Sequence, residues 1–177
     1  MTRYADRKAV VVGETTGIGL AIAKRLVEGG AQVVLAARSA QERAHMSDEL
    51  GSAARVVAPE HVETALSAVD YLFADTVAAV RPLVPYLQGD GAVVIITSAS
   101  LPGSVSRLAS ELAPCGIRVN AVAPSCIEAS GQSSAPLPPL GRLGAAEEVA
   151  RAALFLATDA TFTTGTRLPV DGGLGSS

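Results

Sequence analysis

Short apolar runs alternate with amphipathic stretches along the whole chain. Continuous apolar strands that alternate with helices are typical of a parallel sheet covered on both faces. The pattern predicts strands at residues 9–12, 31–37, 55–58, 71–74, 92–97, 118–122 and 167–170. It predicts helices at residues 20–28, 40–50, 61–68, 77–87, 104–113 and 147–156, and Pro82 should distort the fourth of these. Residues 130–140, rich in Ser and Pro, are predicted to form a surface loop.

Composition narrows the class of protein. A chain of 177 residues suits one domain with one core, which we place at residues 1–177. Aromatic residues make up only 3% of the chain, so its core must be aliphatic. The net charge is −3 and no basic block occurs, which gives no support to a nucleic-acid or membrane-surface role. With two cysteines and no apolar run of membrane length, we expect a cytoplasmic protein.

A glycine-rich turn gives the strongest functional signal. Gly13, Gly17 and Gly19 follow the first predicted strand and open the first helix. Glycine there allows a sharp turn, a close approach of backbone to phosphate, and tight packing of helix on strand. The N–H groups at the start of the helix would then face a pyrophosphate. The turn predicts a dinucleotide-binding site, although an ordinary glycine-rich turn is the simpler alternative.

The end of the second strand should select the cofactor. An acidic residue there would bind the ribose 2′-hydroxyl of NAD, but this chain has Arg38 followed by Ser39. A guanidinium is a natural partner for a 2′-phosphate, so we expect NADP(H) rather than NAD(H). Glu14 argues against this choice, because it adds negative charge near the phosphates, and a solvated surface arginine is the alternative for Arg38.

Several segments resemble the short-chain dehydrogenase/reductase family, and they follow one another in the family's order. The family's cofactor loop is similar to Val12-Gly-Glu-Thr-Thr-Gly-Ile-Gly19, and the helix and strand before its substrate loop are similar to residues 109–124. Its C-terminal signature is similar to Leu140-Gly-Arg-Leu-Gly144, Glu147-Glu-Val-Ala150 and Val170-Asp-Gly-Gly173. The resemblance implies a Rossmann-like doubly wound fold and hydride transfer between a nicotinamide and the carbon of a carbonyl or alcohol. The cofactor-binding residues predicted in this way are Gly13, Thr15, Thr16, Gly17, Ile18, Gly19, Arg38, Ser39, Pro124 and Ile127.

The catalytic half of the family pattern is largely missing. Ser98 matches the serine that orients the substrate oxygen, although a serine that caps a strand end is equally common. The Tyr-x-x-x-Lys segment that should follow is absent, and Phe73-Ala-Asp-Thr76 replaces the family's Asn-Asn-Ala-Gly. Tyr4 and Lys8 have the right spacing, but they precede the first strand and should lie at the wrong edge of the sheet.

Two functions stay open at this stage. One is an NADP(H)-dependent oxidoreductase that acts on a small-molecule carbonyl or alcohol, and the other is a nucleotide-binding pseudoenzyme that serves as a sensor or partner subunit. The missing parts of the family pattern lie after predicted strands four, five and six. They reflect either natural shortening of the protein or segments that are missing from the sequence. Cys115 and Cys126 are better explained as small hydrophobes than as proton donors. His45 and His61 are isolated, so no metal site is predicted, and a homo-oligomer remains open.

Overall fold

The computed structural model of the chain describes residues 3–13, 17–98, 103–128 and 137–176. Seven parallel strands form one sheet in the order β3-β2-β1-β4-β5-β6-β7. Helices cover both faces of the sheet, so the predicted α/β doubly wound fold is confirmed. The strands are β1 (Lys8–Val12), β2 (Gln32–Ala36), β3 (Ala54–Val57), β4 (Val69–Ala74), β5 (Leu87–Ile96), β6 (Arg118–Pro124) and β7 (Arg167–Val170). The helices are α1 (Ile18–Glu28), α2 (Ala40–Leu50), α3 (Val77–Val80), α4 (Ser104–Leu112) and α5 (Ala146–Thr158).

The core has two layers, one on each face of the sheet. Helices α1, α2 and α5 pack on one face around residues such as Leu26, Phe73 and Leu156, which are almost completely buried. Helices α3 and α4 pack on the other face around Leu72 and Leu108. Because aliphatic side chains fill both layers, the predicted aliphatic core is confirmed. In the described part of the chain, no helix is long and apolar enough to cross a membrane.

The connection from β3 to β4 departs from the sequence-based prediction. The predicted helix over residues 61–68 is wrong, since the structure has only two 3₁₀ turns there, Pro59–His61 and Glu63–Ala65. The connection must cross β2 and β1 to reach β4, a sideways distance of about 14 Å. It must also run from the carboxyl end of β3 back to the amino end of β4. An α-helix advances only about 1.5 Å per residue. The few residues between β3 and β4 therefore cannot cover this distance as an α-helix.

Two prolines shorten the next helix, as the sequence predicts. Helix α3 ends after one turn at Val80, and a 3₁₀ helix (Arg81–Tyr86) that contains Pro82 and Pro85 continues to β5. Proline has no N–H to donate, so it cannot continue an α-helical hydrogen-bond series. Residues of both short connections line a cavity at the carboxyl edge of the sheet.

Strand β6 is joined to the segment before β7 by backbone hydrogen bonds and by one buried side-chain amide. Asn120 is completely buried, and its Nδ2 donates to the carbonyl of Thr163 at 2.8 Å. Its Oδ1 accepts a hydrogen bond from the backbone N–H of Thr166 at 3.1 Å. The chain's only asparagine therefore aligns β7 beside β6, which is a structural role.

We expect Asn120→Ala to lower the free energy of unfolding by about 2–4 kcal/mol, because a buried donor and a buried acceptor on Thr163 and Thr166 lose their partner. Urea unfolding followed by circular dichroism measures this loss. Gln88→Ala is the matched control, since Gln88 is an exposed amide on β5 and its loss should change stability by less than about 0.5 kcal/mol. Equal stability of the two variants would contradict the role assigned to Asn120.

Candidate cofactor-binding site

The predicted site residues gather at one edge of the sheet. Gly13 follows β1, Arg38 follows β2 and Ser98 follows β5, while Pro124 ends β6. All these strands are parallel, so their carboxyl ends meet at the same edge. Ligands of open α/β sheets bind at that edge, where the strand order reverses between β1 and β4.

The turn between β1 and α1 has the backbone that only glycine adopts freely. Gly13 has φ of 102° and Gly17 has φ of 60°, both in the left-handed region. Helix α1 begins at Ile18, and Gly19 is buried in its first turn. The predicted residues Thr15 and Thr16, with Glu14, lie outside the described residues.

A cavity of about 380 Å³ opens beside this turn. Its walls are mainly apolar, and its polar side chains come from the residues after β2 and β4 and from the β3–β4 connection. The lining residues are Val12, Gly13, Ala36, Arg38, Pro59, Val62, Glu63, Asp75, Thr76, Ala79, Pro82 and Leu83. A mainly apolar cavity of this size with a few polar groups is typical of a small-molecule binding site.

Asp75 is a residue that the sequence-based reasoning did not select. Its carboxylate lies directly over Gly13, so a Cβ built on Gly13 would come within 2.3 Å of the Asp75 Cγ. Gly13 is thus required both for its backbone conformation and for the space that Asp75 occupies. The spacing of Asp75 in the sequence gave no signal, because the contact depends on the parallel pairing of β1 with β4.

Arg38 and Ser39 lie on a turn with defined support. The guanidinium of Arg43 donates to the carbonyl of Arg38 at 2.9 Å and to that of Ala37 at 3.2 Å. Ser39 is the N-cap of α2, where its hydroxyl accepts from the N–H of Glu42 at 3.1 Å and the Glu42 carboxylate accepts from the N–H of Ser39. The side chain of Arg38 is exposed and lines the cavity, so it can reach an anionic ligand.

The structure does not bring a tyrosine or a lysine to Ser98, which is exposed just beyond β5. Tyr4 is buried against Gly29 near the amino edge of the sheet, and Lys8 begins β1 at that edge. Tyr71 pairs with Ala92 of β5, which lies six residues before Ser98 along the chain.

The remaining tyrosine and lysine are also engaged elsewhere. Tyr86 precedes β5, and Lys24 on α1 forms an ion pair with Glu49 on α2. Burial raises the pKa of Tyr71, which is opposite to the shift that proton transfer at neutral pH requires. All three tyrosines and both lysines of the sequence therefore lie away from Ser98.

The end of β6 carries the last two predicted residues. Pro124 closes the strand, and Ile127, which is buried, pairs with Gly144 as an isolated parallel bridge. Beyond Gly144, the Glu148 carboxylate accepts two hydrogen bonds from Arg142 at 2.8 Å and one from the N–H of Ala145 at 3.0 Å. These bonds lower the pKa of Glu148 to about 2, with the Arg142 hydrogen bond as the largest cause.

Of the two cysteines that the sequence suggested to be small hydrophobes, only Cys126 is buried. Cys115 is exposed and Cys126 is buried, and neither forms a disulfide. Cys126 has φ of 54°, an uncommon conformation for a residue other than glycine. Among the described residues, no cluster of three or more His, Cys, Asp or Glu side chains is arranged to hold a metal ion.

Comparison with known protein families identifies the family to which this chain belongs. The short chain dehydrogenase family matches residues 7–84, and the family described as enoyl-(acyl carrier protein) reductase matches residues 86–175. A 3-oxoacyl-[acyl-carrier-protein] reductase from Salmonella typhimurium is 30% identical, over 97% of this chain and 98% of the relative. The chain belongs to the short-chain dehydrogenase/reductase family.

Two further relatives define the extent of the match. A short-chain type dehydrogenase/reductase from Sinorhizobium fredii is 31% identical over 97% of this chain, which spans only 44% of that relative. The structure of a 3-oxoacyl-[acyl-carrier protein] reductase from Brucella melitensis superimposes with a TM-score of 0.81 at 25% identity, over 98% of this chain and 92% of the other. The Salmonella alignment runs over 239 positions, more than the 177 residues here, so internal segments of that short-chain dehydrogenase/reductase have no counterpart in this chain.

The Arg142–Glu148 contact predicts a pH-dependent contribution to stability. The folded pKa of Glu148 is about 2, below its ordinary value of 4.5, so its contribution is complete above pH 4.5 and is lost as pH falls towards 2. Glu148→Gln should therefore be less stable than the parent protein at pH 7, and the difference should shrink between pH 5 and pH 2. Urea unfolding at a series of pH values measures this difference.

Glu60→Gln provides the comparison, because Glu60 is an exposed carboxylate in the β3–β4 connection. Its effect on stability should be small at every pH. A destabilisation by Glu148→Gln that stayed constant down to pH 2 would refute the role assigned to the ionised carboxylate.

Proposed function

We propose that this chain is an NADP(H)-dependent oxidoreductase that acts on a carbonyl or alcohol of a small molecule. The observation that carries the proposal is the cavity at the carboxyl edge, where Gly13 and Arg38 line the same space beside the start of α1. Family membership supports nicotinamide chemistry, while the preference for a 2′-phosphate rests on Arg38. A cytoplasmic location and a small-molecule substrate belong to the same proposal.

The residues present fit the adenosine half of the cofactor. The first N–H groups of α1 have no side-chain cap and would face a pyrophosphate, and Arg38 offers a planar set of donors to a 2′-phosphate. Ser39, Pro124 and Ile127 are proposed to complete the cofactor contacts, with the last two on the nicotinamide side. When bound, NADP(H) supplies or accepts the hydride, and Ser98 would donate a hydrogen bond that orients the substrate oxygen.

Replacing Arg38 should separate the two cofactors. We expect Arg38→Ala to weaken NADPH binding by about 10- to 100-fold, since a charge-assisted contact to the 2′-phosphate is lost, and to change NADH binding by less than about threefold. Isothermal titration calorimetry with each cofactor measures both affinities. Arg43→Lys tests the supporting turn, because it keeps the charge while removing the planar guanidinium. Equal losses for NADPH and NADH in Arg38→Ala would overturn the 2′-phosphate assignment.

A second candidate function is nucleotide binding without turnover, as in a sensor or partner subunit. The location of every tyrosine and lysine away from Ser98 favours this candidate. In an assembly, a partner could use the exposed phenyl rings of Phe155 on α5 and Phe162 just beyond it, and these rings also support the proposal of a homo-oligomer.

Turnover separates the two candidates. Protein with a verified mass of 17.9 kDa should be tested for NADPH oxidation with a panel of ketones and aldehydes. Because no described group is arranged to move the proton, we expect any rate to be at least about 100-fold below that of a complete enzyme of the family. A measurable rate that depends on Ser98, tested with Ser98→Ala, would exclude the pseudoenzyme. Cofactor binding without turnover would exclude the oxidoreductase.

A further inference from the structure

A second cavity, of about 300 Å³, lies at the amino end of the sheet. Its floor is the face of β1 and β2 on which Val10 and Val34 lie, and its roof is the end of the β3–β4 connection, residues 65–68. The Nζ of Lys8 donates a hydrogen bond to the Oγ of Ser67 at 3.0 Å, so the connection passes over this face. The cavity shares no lining residue with the one beside Gly13.

The floor of this cavity is an apolar surface that the protein covers incompletely. Val34 is only half-buried although β2 lies inside the sheet, whereas Val33 and Leu35, on the opposite face of the same strand, are almost completely buried. Leu66 in the roof is also half-buried. A connection made of short 3₁₀ turns presents no continuous apolar face to the sheet, so this surface remains available to the apolar body of a ligand.

The strand register brings two cationic side chains to this face. Arg55 of β3 pairs with Val34 of β2, which pairs with Val10 of β1. Lys8 lies two residues before Val10 and pairs with Gln32. Side chains that are in register on neighbouring strands, or two residues apart on one strand, lie on the same face of a sheet. Lys8 and Arg55 therefore lie on either side of the cavity, with Gln32 on the strand between them.

Neither cation is neutralised by a carboxylate among the residues that the structure describes. None of the described residues that line the cavity is acidic, and the ammonium of Lys8 donates to a neutral hydroxyl. The carboxylate of Asp70, just beyond the roof, accepts from Nη1 of Arg7 at 2.7 Å and from the backbone N–H of Lys8 at 2.8 Å. Two such cations beside an uncovered apolar surface favour an anion that has an apolar body.

We propose that this cavity binds a small organic carboxylate with a short aliphatic body. The guanidinium of Arg55 would hold the carboxylate through two parallel N–H donors, while Lys8 adds a second positive charge and Gln32 an amide donor. The aliphatic body would lie on Val34 and beneath Leu66. The volume is at the lower end of the range for small-molecule sites, which limits the length of this body. The inference is independent of the proposed oxidoreductase function, because the two cavities are separate.

NMR spectroscopy of the ¹⁵N-labelled protein, titrated with hexanoate, tests the proposal. Hexanoate combines one carboxylate with a short aliphatic chain, whereas 1-hexanol has the chain without the charge and acetate has the charge without the chain. The backbone amide signals of Val34, Arg55 and Leu66 report on this cavity. Those of Gly13 and Arg38 report on the cavity at the carboxyl edge.

Hexanoate should shift the signals of Val34, Arg55 and Leu66 with a dissociation constant of about 1 mM, as expected for a ligand of so few atoms. Acetate and 1-hexanol should bind at least about tenfold more weakly, because each lacks one of the two contacts. Arg55→Gln should weaken hexanoate binding by about tenfold, since a charge-assisted hydrogen bond is lost.

Arg107→Gln is the matched control, because Arg107 is an exposed arginine on α4 and does not line this cavity. Its loss should change the affinity for hexanoate by less than about twofold, and circular dichroism confirms that both variants are folded. Equal binding of hexanoate and 1-hexanol, or an undiminished affinity in Arg55→Gln, would overturn the assignment of an anion site. Shifts confined to Gly13 and Arg38, or no shifts at 20-fold the expected dissociation constant, would show that the cavity at the amino end binds no carboxylate.

Discussion

The parallel pairing of β2, β1 and β4 is the constraint on which the candidate site depends. Val10 of β1 pairs with Val34 of β2 on one side and with Leu72 of β4 on the other. This register brings the ends of three strands, distant in sequence, to the same edge of the sheet. Gly13, Arg38 and Asp75 lie close together because their strands do, and a shift of one residue in either pairing would separate them.

The seven-stranded sheet is complete, whereas two of the connections between its strands are short. The β3–β4 connection contains only 3₁₀ turns, and α3 has a single helical turn before Pro82. Both faces of the sheet still bury continuous aliphatic layers, with Leu72 and Phe73 of β4 completely buried on opposite faces. Hydrophobic burial by the strands and the remaining helices thus maintains the sheet and its carboxyl edge, although no tyrosine or lysine lies beside Ser98 among the described residues.

Local patterns predicted much of this fold because the central strands β1, β4, β5 and β6 are mainly buried and apolar. Helix α2 has the expected bounds, since Ser39 with Glu42 starts it and Gly51 ends it, and these signals are local. The helix predicted over residues 61–68 failed for a non-local reason, because the distance across the sheet determines the form of that connection. The contact between Asp75 and Gly13 could not be foreseen for the same reason, as it depends on strand order. The glycine turn and the exposed position of Arg38 followed from local sequence, but the contacts of these residues with a cofactor remain predictions.

A crystal structure of the protein grown with NADPH is the most direct test of the central claim, which is that the carboxyl edge holds a dinucleotide. The account predicts the adenosine in the cavity beside Gly13, with its 2′-phosphate on Arg38 and its pyrophosphate at the start of α1. A structure at saturating NADPH with no nucleotide at this edge, or with the nucleotide bound elsewhere, would contradict the account and leave the glycine turn as a trace of ancestry.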